Sequence, residues 1–596
     1  MTPDRLTPDR LTSRGLEWLD SQLRELPIAS GRPLRLGIMV DSDELIGPFA
    51  AILEQLSKTE WIRLSLVIHR VSPELQTGRP AWLRFLRLPR HILVKSLRDT
   101  LLFRLFFGLD SRFFSDHSGL SLTSIRNTVS GIPRISVKPR TEGYSDWFSD
   151  ADVAAVESAG LDVILRFGFR ILRGEILLAA KEGIWSFHHG DNKHYRGAPP
   201  CFWEMFEGSP TVGVILQKLN SSLDNGHVIK RGYFSNLKSS SLLRNRIDPY
   251  WSSSHFVLAA LRDLMRTRGD TQVQSNSAVT HYKGLRKIYK TPKNLEFLGW
   301  FVPHLYEKLV GRLAGRTRIS HWRIGLAHRS ASNTLFEKRS VSLKEFKWFE
   351  PPKGKFWADP FLVEANGSTY LFFEEYDYAR KLGAIACCVL NDDLTLGPVQ
   401  IVLSMPFHLS FPHVFEHGGK HYMLPEASES GGLTLFEAEQ FPWKWRPIKT
   451  ILPISCVDPI AFFHGDHWWL HTALRTEVGP ASIAVLFYSK ELTGEWILHP
   501  DSPTCVDYRN ARNAGSLIKT DSGKLFRVSQ SSESRYGSSF AFHLIEHLDT
   551  NTFKESLAFR VVPDQQSRMR GTHTYSECSK FIAVDGVWDK NDSDAI

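Results

Sequence analysis

The sequence predicts an α/β domain followed by an all-β propeller, and this prediction rests on chain length and two residue patterns. The chain has 596 residues. Because one hydrophobic core stops growing at about 250 to 300 residues, at least two domains are expected. In the first part, apolar strand patterns alternate with helical patterns. From residue 319 onward, short aromatic-rich strand patterns with Gly and Asp-Gly turns repeat along the chain.

The first domain begins with the apolar run Leu34–Val40, and apolar residues at helical spacing follow that run. Further strand patterns lie at 63–70, 131–138 and 161–168, and a helical pattern at 150–159 precedes the last of them. Strands separated by helices are typical of a parallel, doubly wound sheet.

The second part contains an internal repeat. Residues 358–375 align with 410–427, and the alignment places Pro360 on Pro412. The same pattern occurs again at 457–473 and 512–530, and residues 573–586 match it poorly. Five such units, each a strand, a tight turn and a strand, predict the blades of a five-bladed propeller. The strand pattern at 321–328 is expected to complete the last blade and close the ring.

The composition is that of a folded protein, with 42% hydrophobic, 12% aromatic and 23% charged residues. The formal charge of +9 is a mild basic excess for this length, so it does not select among phosphorylated, nucleic-acid and membrane partners. The six cysteines show no C-x-x-C spacing, which argues against a zinc site or a disulfide framework and favours a reducing cytoplasm. The N-terminus lacks a signal-like apolar core, and no apolar run reaches the ~18 residues of a membrane span, so we expect a soluble protein.

Residues 82–109 alternate Arg and Lys with Leu, Phe and Ile at helical intervals. This pattern is compatible with a basic amphipathic segment that makes peripheral contact with a membrane or with the other domain. The alternative, which we prefer, is a pair of ordinary amphipathic helices that pack on the sheet with their Arg side chains in water.

The segment 183–232 contains the candidate catalytic residues. It contains a strand that ends in Ser186-x-His188, a loop that leads to Arg196-Gly197, a Thr-Val-Gly-Val strand at 211–214, and an acid in Leu223-Asp224-x-Gly226. In order and spacing these elements resemble the catalytic core of the folate-dependent formyltransferases, the family of the methionyl-tRNA and sugar N-formyltransferases. The resemblance implies a Rossmann-like domain and 10-formyltetrahydrofolate as formyl donor.

The resemblance also implies roles for individual residues. Formyl transfer to an amine develops negative charge on oxygen, so the site needs a donor for that oxygen and a group that manages the amine proton. His188 would polarise the formyl carbonyl, and Asp224 would orient the imidazole and help proton transfer. The family has Asn where this chain has Ser186, and its Ser-Leu-Leu-Pro loop is replaced by residues 190–194. We therefore expect a weaker or water-assisted contact from Ser186.

Further residues around this motif are predicted to bind substrate or folate: Phe167, Gly168, His189, Asp191, Arg196 and Gly197. His188, His189 and Asp191 together raise the alternative of a metal site. Because no further ligand stands at suitable spacing, we predict no metal there.

The propeller resembles the N-terminal domain of plant glucosamine inositolphosphorylceramide transferases, on the basis of its Asp-Pro blade starts and the sequences HLSFPHVF and FRVSQSSESRYG. That domain is in turn distantly similar to five-bladed glycoside hydrolases. Residues expected to converge on the propeller axis are Asp359, His413, Glu426, Asp458 and Asn513, with His573 as a further candidate. Paired carboxylates suit glycoside hydrolysis, but Asp-Pro pairs also start strands in repeats, so structural or carbohydrate-binding use is preferred.

The sequence thus predicts an N-terminal extension (1–33), a formyltransferase-like domain (34–235), a helical closure and linker (236–317) and a propeller (318–590). The predicted function is transfer of a formyl group to the amine of an amino sugar or glycoconjugate. An RNA acceptor is not expected, because no basic stripe interleaved with aromatics is present. Two alternatives remain: a catalytically altered glycan-binding protein, or a glycosidase or glycosyltransferase activity in the propeller. The predicted location is the cytoplasm, with membrane association left open.

Overall fold

The computed structural model describes residues 14–25, 31–71, 90–114, 119–236, 241–267, 288–313, 318–329, 343–476, 478–533, 535–563 and 569–591. The chain divides into two compact units. The first comprises Met1–Leu309 with Glu477–Gly479, and the second comprises Val310–Thr476 with Pro480–Ile596.

The described part of the first unit contains a central mixed sheet and several short accessory strands. Its strands are β1 (Leu34–Val40), β2 (Glu44–Ile46), β3 (Ile62–Arg70), β4 (Leu122–Ser124), β5 (Arg134–Val137), β6 (Arg140–Glu142), β7 (Ser145–Trp147), β8 (Val163–Arg166), β9 (Ile171–Arg173), β10 (Ile184–His188), β11 (Arg196–Gly197), β12 (Thr211–Lys218), β13 (His227–Ser235) and β14 (Ile288–Tyr289). The order in the central sheet is β13-β12-β10-β8-β1-β3-β5.

The central sheet is parallel over most of its width, as predicted, but not at one edge. Strands β5, β3, β1, β8 and β10 run parallel to their neighbours. The four strands from which a parallel sheet was predicted are β1, β3, β5 and β8, and they do run parallel. The pairs β10–β12 and β12–β13, at the other edge, are antiparallel. The connection 219–226 between β12 and β13 is too short for a crossover helix, and a short connection joins strands in antiparallel orientation.

The order of the sheet reverses at β1, which has β3 on one side and β8 on the other. In doubly wound sheets, ligands bind at such a switch point, outside the carboxyl ends of the strands. Those ends are Val40 of β1, Arg166 of β8 and, one strand further, His188 of β10. The topology therefore brings the ends of the predicted motif strands to one edge of the sheet.

Helices pack around this sheet. They are α1 (Arg14–Glu25), α2 (Gly47–Ser57), α3 (Arg90–Phe114), α4 (Asp150–Ser158), α5 (Phe202–Phe206), α6 (Leu242–Ser252), α7 (Phe256–Arg266) and α8 (Asn294–Leu313). Helix α1 lies inside the segment predicted as an extension, and its Leu16, Leu19 and Leu23 are buried. Among the described residues, no helix has both the length and the apolar character of a membrane span.

The second unit is a β-propeller of five sheets. Its strands are β15 (Arg318–His328), β16 (Lys347–Phe349), β17 (Lys355–Ala365), β18 (Ser368–Asp377), β19 (Leu382–Leu390), β20 (Gln400–Leu403), β21 (Ser410–His417), β22 (Lys420–Glu426), β23 (Leu433–Gln440), β24 (Lys444–Leu452), β25 (Cys456–His464), β26 (His467–Leu474), β27 (Ile483–Ser489), β28 (Ile497–Leu498), β29 (Cys505–Val506), β30 (Ile518–Lys519), β31 (Leu525–Ser531), β32 (Ser539–Leu548), β33 (Phe553–Val561), β34 (Tyr575–Glu577) and β35 (Phe581–Asn591).

Each blade is a four-stranded antiparallel sheet, and one blade carries the extra strand β29. Four blades are continuous in sequence, β17–β20, β21–β24, β25–β28 and β30–β33. The fifth has the order β16-β15-β35-β34. Strand β15 pairs with β35 from Arg318 opposite Asn591 to His328 opposite Phe581. The predicted closure of the ring by the strand at 321–328 is confirmed.

Three blades begin with the same β-bulge. Asp359, Phe411 and Asp458 have left-handed backbone conformations, with φ of 52°, 46° and 48°. A proline follows each of them, and the pairing register shifts at each site. Proline suits this position because the extra residue of a bulge makes no ladder hydrogen bond. The bulge re-aims the residue before the proline, which accounts for the repeated Asp-Pro and Phe-Pro pairs.

A buried ion pair ties two strands of one blade together. Arg527 Nε donates to Glu555 Oε2 at 2.8 Å, and the Arg527 side chain is 1% exposed. Burial alone would raise the pKa of Glu555, but the Arg527 charge and hydrogen bonds outweigh it and lower that pKa to about 2. Removing one partner leaves an uncompensated buried charge. We expect Glu555→Gln to lower the free energy of unfolding by about 3 to 5 kcal/mol at neutral pH, measured by chemical denaturation.

The same pair sets a pH dependence. Because the folded-state pKa of Glu555 lies below the ordinary 4.5, its stabilisation is present above that value and is lost as the pH falls through about 2. The stability difference between the unmodified chain and Glu555→Gln should therefore shrink on acidification. Glu546→Gln is the matched control, since Glu546 pairs with Lys554 at the surface. Equal stability of the two variants at neutral pH would contradict this expectation.

Candidate functional site

The structure brings His188 and Asp224 together. His188 is the last residue of β10, and its Nδ1 lies 3.5 Å from Asp224 Oδ1. On its other side, His188 Nε2 donates to the carbonyl oxygen of Tyr195 at 2.8 Å. Both ring nitrogens therefore lie beside an oxygen atom that can accept a hydrogen bond. This arrangement lets Asp224 stabilise an imidazolium on His188.

The Arg-Gly pair of the motif holds the acid in place. Gly197 N donates to Asp224 Oδ2 at 2.9 Å, and Arg196 Nη2 donates to the Leu223 carbonyl oxygen. Gly197 has φ of 99°, and a Cβ there would lie 2.2 Å from Tyr289 O, so only glycine fits. Asp224 itself is left-handed, with φ of 48°. Two distant motifs are thus one structural unit that aims the carboxylate at His188.

Ser186 is a register partner of Arg166 on the neighbouring strand β8. Arg166 Nη1 donates to Ser186 Oγ at 2.9 Å, and Arg166 Nη2 donates to the carbonyl oxygen of Phe169 at 2.8 Å. The buried Arg166 Nε has no hydrogen-bond partner. Burial lowers the pKa of Arg166, and the charges of Asp41 and Asp224 oppose that effect. A half-buried arginine therefore adjoins the position where the resembled family has Asn.

Arg166 was missed by the sequence reasoning, although a signal was present. It interrupts the apolar strand LDVILRFG, and arginine is almost never fully buried unless it has partners. A charged residue inside a buried parallel strand is therefore a candidate for a functional role.

The glycine at 168 allows two strand ends to approach each other. A Cβ on Gly168 would lie 2.7 Å from the backbone nitrogen of Asp41, which follows β1. Asp41 Oδ1 accepts a hydrogen bond from Phe169 N at 2.9 Å. The ends of β1 and β8 are therefore joined at the switch point of the sheet.

Asp191, predicted to contact substrate, is engaged in an internal network. It accepts from Lys193 N at 3.1 Å and from Tyr233 OH at 3.2 Å, and it lies 3.0 Å from His194 Nδ1. It also pairs with Arg231. Burial would raise the pKa of Asp191, but these donors and the arginine together lower it. The carboxylate therefore ties loop 190–194 to β13.

His189 and Phe167 belong to an aromatic cluster. The His189 ring stacks on Tyr250 with centroids 3.5 Å apart and an angle of 9°. Phe49 packs against Phe167 at 5.2 Å and against Phe187 at 5.8 Å. Burial holds the pKa of His189 well below its ordinary value. Because His189 faces Tyr250 and Asp191 faces other partners, the two do not converge with His188.

In the propeller, Asp359 lies against the last blade. Its Oδ1 accepts from Thr574 Oγ1 at 2.7 Å, and its Oδ2 accepts from Phe411 N at 3.2 Å. His573 lies between two carboxylates, with Nε2 3.6 Å from Asp359 and Nδ1 2.5 Å from Asp585. Burial lowers the pKa of His573, but these carboxylates outweigh it and raise that pKa. Within the described residues, Asp359, His573 and Asp585 each offer one possible metal-ligand atom, and these atoms lie within 4.8 Å of one another.

Asp458 and Glu426 meet around Arg512. Arg512 binds Asp458 through Nε at 2.5 Å and Nη2 at 3.0 Å, and Gln530 Nε2 donates to Asp458 Oδ2 at 2.8 Å. Glu426 Oε2 accepts from Asp458 N at 3.1 Å. Burial, followed by the Asp458 charge, raises the pKa of Glu426 to about 8. Arg512 Nη2 also lies 3.6 Å from Glu426 Oε2, but burial and the Asp458 charge outweigh its effect, so Glu426 favours the neutral form.

His413 and Asn513 link structural segments instead of lining a cluster of acids. His413 Nε2 donates to Ala461 O at 2.8 Å, which joins two blades, and burial lowers its pKa to about 4. Asn513 Nδ2 donates to the carbonyl oxygens of Asp458 at 2.7 Å and His471 at 3.0 Å. The groups of these clusters that sequence reasoning missed are Arg512, Gln530 and Asp585. Arg512 directly precedes Asn513 in a predicted unit, which was the available signal.

Comparisons with known proteins match both parts of the chain. Residues 347–576 match the family "Glucosamine inositolphosphorylceramide transferase 1, N-terminal". The chain is 35% identical over 205 residues to "Glucosamine inositolphosphorylceramide transferase 1" of Arabidopsis thaliana, covering 34% of this chain and 27% of that protein. It is 35% identical over 72 residues to "Methionyl-tRNA formyltransferase" of Prochlorococcus marinus (strain AS9601), covering 12% of this chain and 22% of that protein.

Among solved structures, glycinamide ribonucleotide transformylase 1 from Symbiobacterium toebii aligns with a TM-score of 0.26 and 17% identity, covering 40% of this chain and 91% of that chain. The chain spans about a quarter of the length of the curated relatives it matches. The two resemblances stated from the sequence are confirmed: the chain joins a formyltransferase-like α/β unit to a propeller whose residues 347–576 match the N-terminal region of the plant transferase family.

Proposed function

We propose that the first unit transfers a formyl group from 10-formyltetrahydrofolate to the primary amine of an amino sugar or glycoconjugate. The observation that carries this proposal is the pairing of His188 with Asp224, 3.5 Å apart at the carboxyl end of β10. An imidazole paired with a carboxylate is the arrangement that manages protons in acyl transfer. Arg166, next to Ser186, supports the proposal because formyl transfer needs a donor for developing negative charge.

The residues present fit a formyl donor, because the carboxyl ends of β8 and β10 bring together a cationic hydrogen-bond donor, Arg166, and an imidazole, His188. 10-Formyltetrahydrofolate would supply an activated formyl carbon when bound. In the reaction, a bond forms between that carbon and the acceptor nitrogen, and the bond from the carbon to the carrier nitrogen breaks. His188 would polarise the formyl carbonyl, Asp224 would take the proton that the amine loses, and that proton would then pass to the departing nitrogen.

The proposed acceptor is a sugar amine, and the propeller supports this choice. Its sequence matches a family named for glucosamine transfer to inositolphosphorylceramide, and the Arabidopsis relative carries that name. A carbohydrate-related unit fused to a formyl-transfer unit favours an acceptor on a glycan or glycolipid precursor over a tRNA. This inference is by analogy of fold and sequence.

The proposal is tested by incubating the full chain with 10-formyltetrahydrofolate and a panel of nucleotide-linked amino sugars. We expect one acceptor to gain the mass of a formyl group. Titration calorimetry with the folate alone serves as a second measurement, since a protein that only binds glycans should ignore it. Absence of both mass gain and folate binding would overturn the proposal.

A second candidate function is glycosyl cleavage or transfer in the propeller, and the Glu426–Asp458 pair favours it. Such reactions use one protonated and one ionised carboxyl group. Glu426, whose pKa is raised to about 8, suits the acid, and Asp458, which pairs with Arg512, suits the nucleophile or base. Alternatively, the same groups serve to bind a glycan without cleaving it.

We expect Glu426→Gln to abolish any glycosyl-processing activity, because an amide cannot deliver the proton, with a loss of about 10²- to 10⁴-fold. Activity of the unmodified chain should fall as the pH rises through about 8, where Glu426 loses its proton. Release of sugar from candidate glycans would be measured. Glu491→Gln, at an exposed position, is the matched control. Unchanged turnover in Glu426→Gln would exclude this residue as the acid, and glycan binding without turnover would favour the binding role.

A further inference from the structure

The loop 195–198 contacts both members of the pair His188 and Asp224. His188 Nε2 lies 2.8 Å from the carbonyl oxygen of Tyr195, and Gly197 N donates to Asp224 Oδ2 at 2.9 Å. A movement of this loop would therefore displace the imidazole and the carboxylate relative to each other. The contacts that hold the loop in place accordingly determine how the pair is aligned.

A short strand from a distant part of the chain pairs with this loop. Strand β14 runs parallel to β11, and Gly197 lies opposite Tyr289 in that pairing. Tyr289 O accepts from Ala198 N at 3.2 Å, and Trp203 Nε1 donates to Lys290 O at 3.1 Å. We call β14 and Lys290 together the strap. Because 87 positions separate Trp203 from Lys290, only the fold brings the strap to the loop.

The Glu207 carboxylate joins the loop to the strap. Tyr195 OH donates to Glu207 Oε2 at 3.1 Å, and Tyr289 OH donates to Glu207 Oε1 at 2.6 Å. The rings of the two tyrosines pack with their centroids 5.7 Å apart. Burial, and then the Glu207 charge, raises the pKa of Tyr195, so its hydroxyl keeps its proton and can donate. Hydrogen bonds to an ionised carboxylate are stronger than those between neutral groups, so this bridge is suited to hold the loop.

We propose that Glu207 is a positioning residue for formyl transfer: by binding both tyrosine hydroxyls, it fixes the loop on the strap and keeps His188 aligned with Asp224. This inference rests on the proposed function, because it gives Glu207 a part in the reaction of that same site. Glu207 acts through Tyr195 and Tyr289 and does not touch the reacting atoms. Since a misplacement of about 1 Å can cost about 10²-fold in rate, loss of this alignment should slow catalysis.

The first test is steady-state kinetics of Glu207→Ala with the amine acceptor that the mass-gain experiment identifies. We expect kcat to fall by about tenfold to a hundredfold with a smaller change in KM, because the aligned pair is disturbed and substrate binding is not. Glu207→Gln should recover part of the loss, since its amide oxygen still accepts a hydrogen bond from one tyrosine. Glu175→Ala is the matched control and should leave kcat unchanged, because Glu175 is exposed and lies outside the loop and the strap.

A second test asks whether Glu207 acts through the two tyrosines. Tyr195→Phe combined with Tyr289→Phe removes both hydroxyls and leaves the carboxylate, and this variant should lower kcat about as much as Glu207→Ala does. Adding Glu207→Ala to it should cost hardly more, because residues that act as a unit give non-additive losses. Fully additive losses would mean that Glu207 acts independently of the tyrosines, which would overturn the proposal.

Hydrogen exchange followed by mass spectrometry tests the loop without any substrate. We expect exchange at 195–198 to be at least about tenfold faster in Glu207→Ala than in the unmodified chain, and unchanged in Glu175→Ala. Faster exchange together with a lower kcat would support the proposal. If the unmodified chain transfers a formyl group while Glu207→Ala leaves either exchange or kcat unchanged, this inference alone is overturned. If the unmodified chain transfers no formyl group, the proposed function fails and the positioning role fails with it.

Discussion

Replacing either His188 or Asp224 by asparagine is expected to lower formyl transfer by about 10²- to 10⁴-fold. The two side chains lie 3.5 Å apart, and each acts through the other: without the carboxylate, an imidazolium on His188 loses its counterion. The double variant should therefore be hardly slower than the worse single variant, because residues that act as a unit give non-additive losses. Single-turnover kinetics with the identified amine acceptor measures both rates and their combination.

The control for this pair is another His–Asp pair of the same chain. His547 lies 2.7 Å from Asp549, and both are exposed. His547→Asn should leave the rate of formyl transfer unchanged. Fully additive losses from His188→Asn and Asp224→Asn would show that the two residues act independently, contrary to the proposed mechanism.

Replacing Arg166 by methionine is expected to lower kcat by about 10²- to 10³-fold with a smaller change in KM. The reason is that Arg166 adjoins Ser186, which stands where the resembled family has Asn, so the guanidinium would supply the lost donor. A donor used mainly in the transition state affects kcat more than substrate binding. Arg166→Lys should retain part of the activity, because it keeps the charge and loses the planar geometry.

A compensating variant separates this role from a structural one. Ser186→Asn introduced together with Arg166→Met restores a short neutral donor at the family position and should recover part of kcat. Arg170→Met is the matched control, since Arg170 is an exposed arginine on the following loop. Circular dichroism and thermal unfolding verify that each variant folds. If Arg166→Met lowers thermal stability but keeps kcat, Arg166 serves the fold alone.

Local patterns in the sequence were sufficient for much of the architecture. The apolar run at β1, the helical pattern at α4 and the repeat of the propeller each depend on neighbours along the chain, so they are visible without the fold. The reversal of strand direction at β12 was not visible in the sequence, because the pairing of strands depends on the length and path of the connections between them. The paired hydrogen bonds of Arg196 and Gly197 to the Leu223–Asp224 turn were also hidden, although both motifs were recognised.

In the propeller, too, the sequence identified some residues of the acidic clusters and missed others. Asp359, Asp458 and Glu426 were identified from their places in the repeat. His413 and Asn513, identified in the same way, turned out to bridge structural segments, because backbone carbonyls of other strands reach their side chains. Asp585 was not identified, since it meets His573 only after β35 has folded back beside β34.

By itself the sequence determined the α/β character of the first unit, how many blades the propeller has and which imidazole and carboxylate belong to the recognised motif. Only the tertiary structure decided which side chains stand beside them. Arg166 and Ser186 are twenty positions apart and meet because β8 and β10 are neighbours in register. Sequence spacing sets the face on which a side chain lies, whereas strand order and register select its partner on that face, and these depend on the packing of the whole sheet.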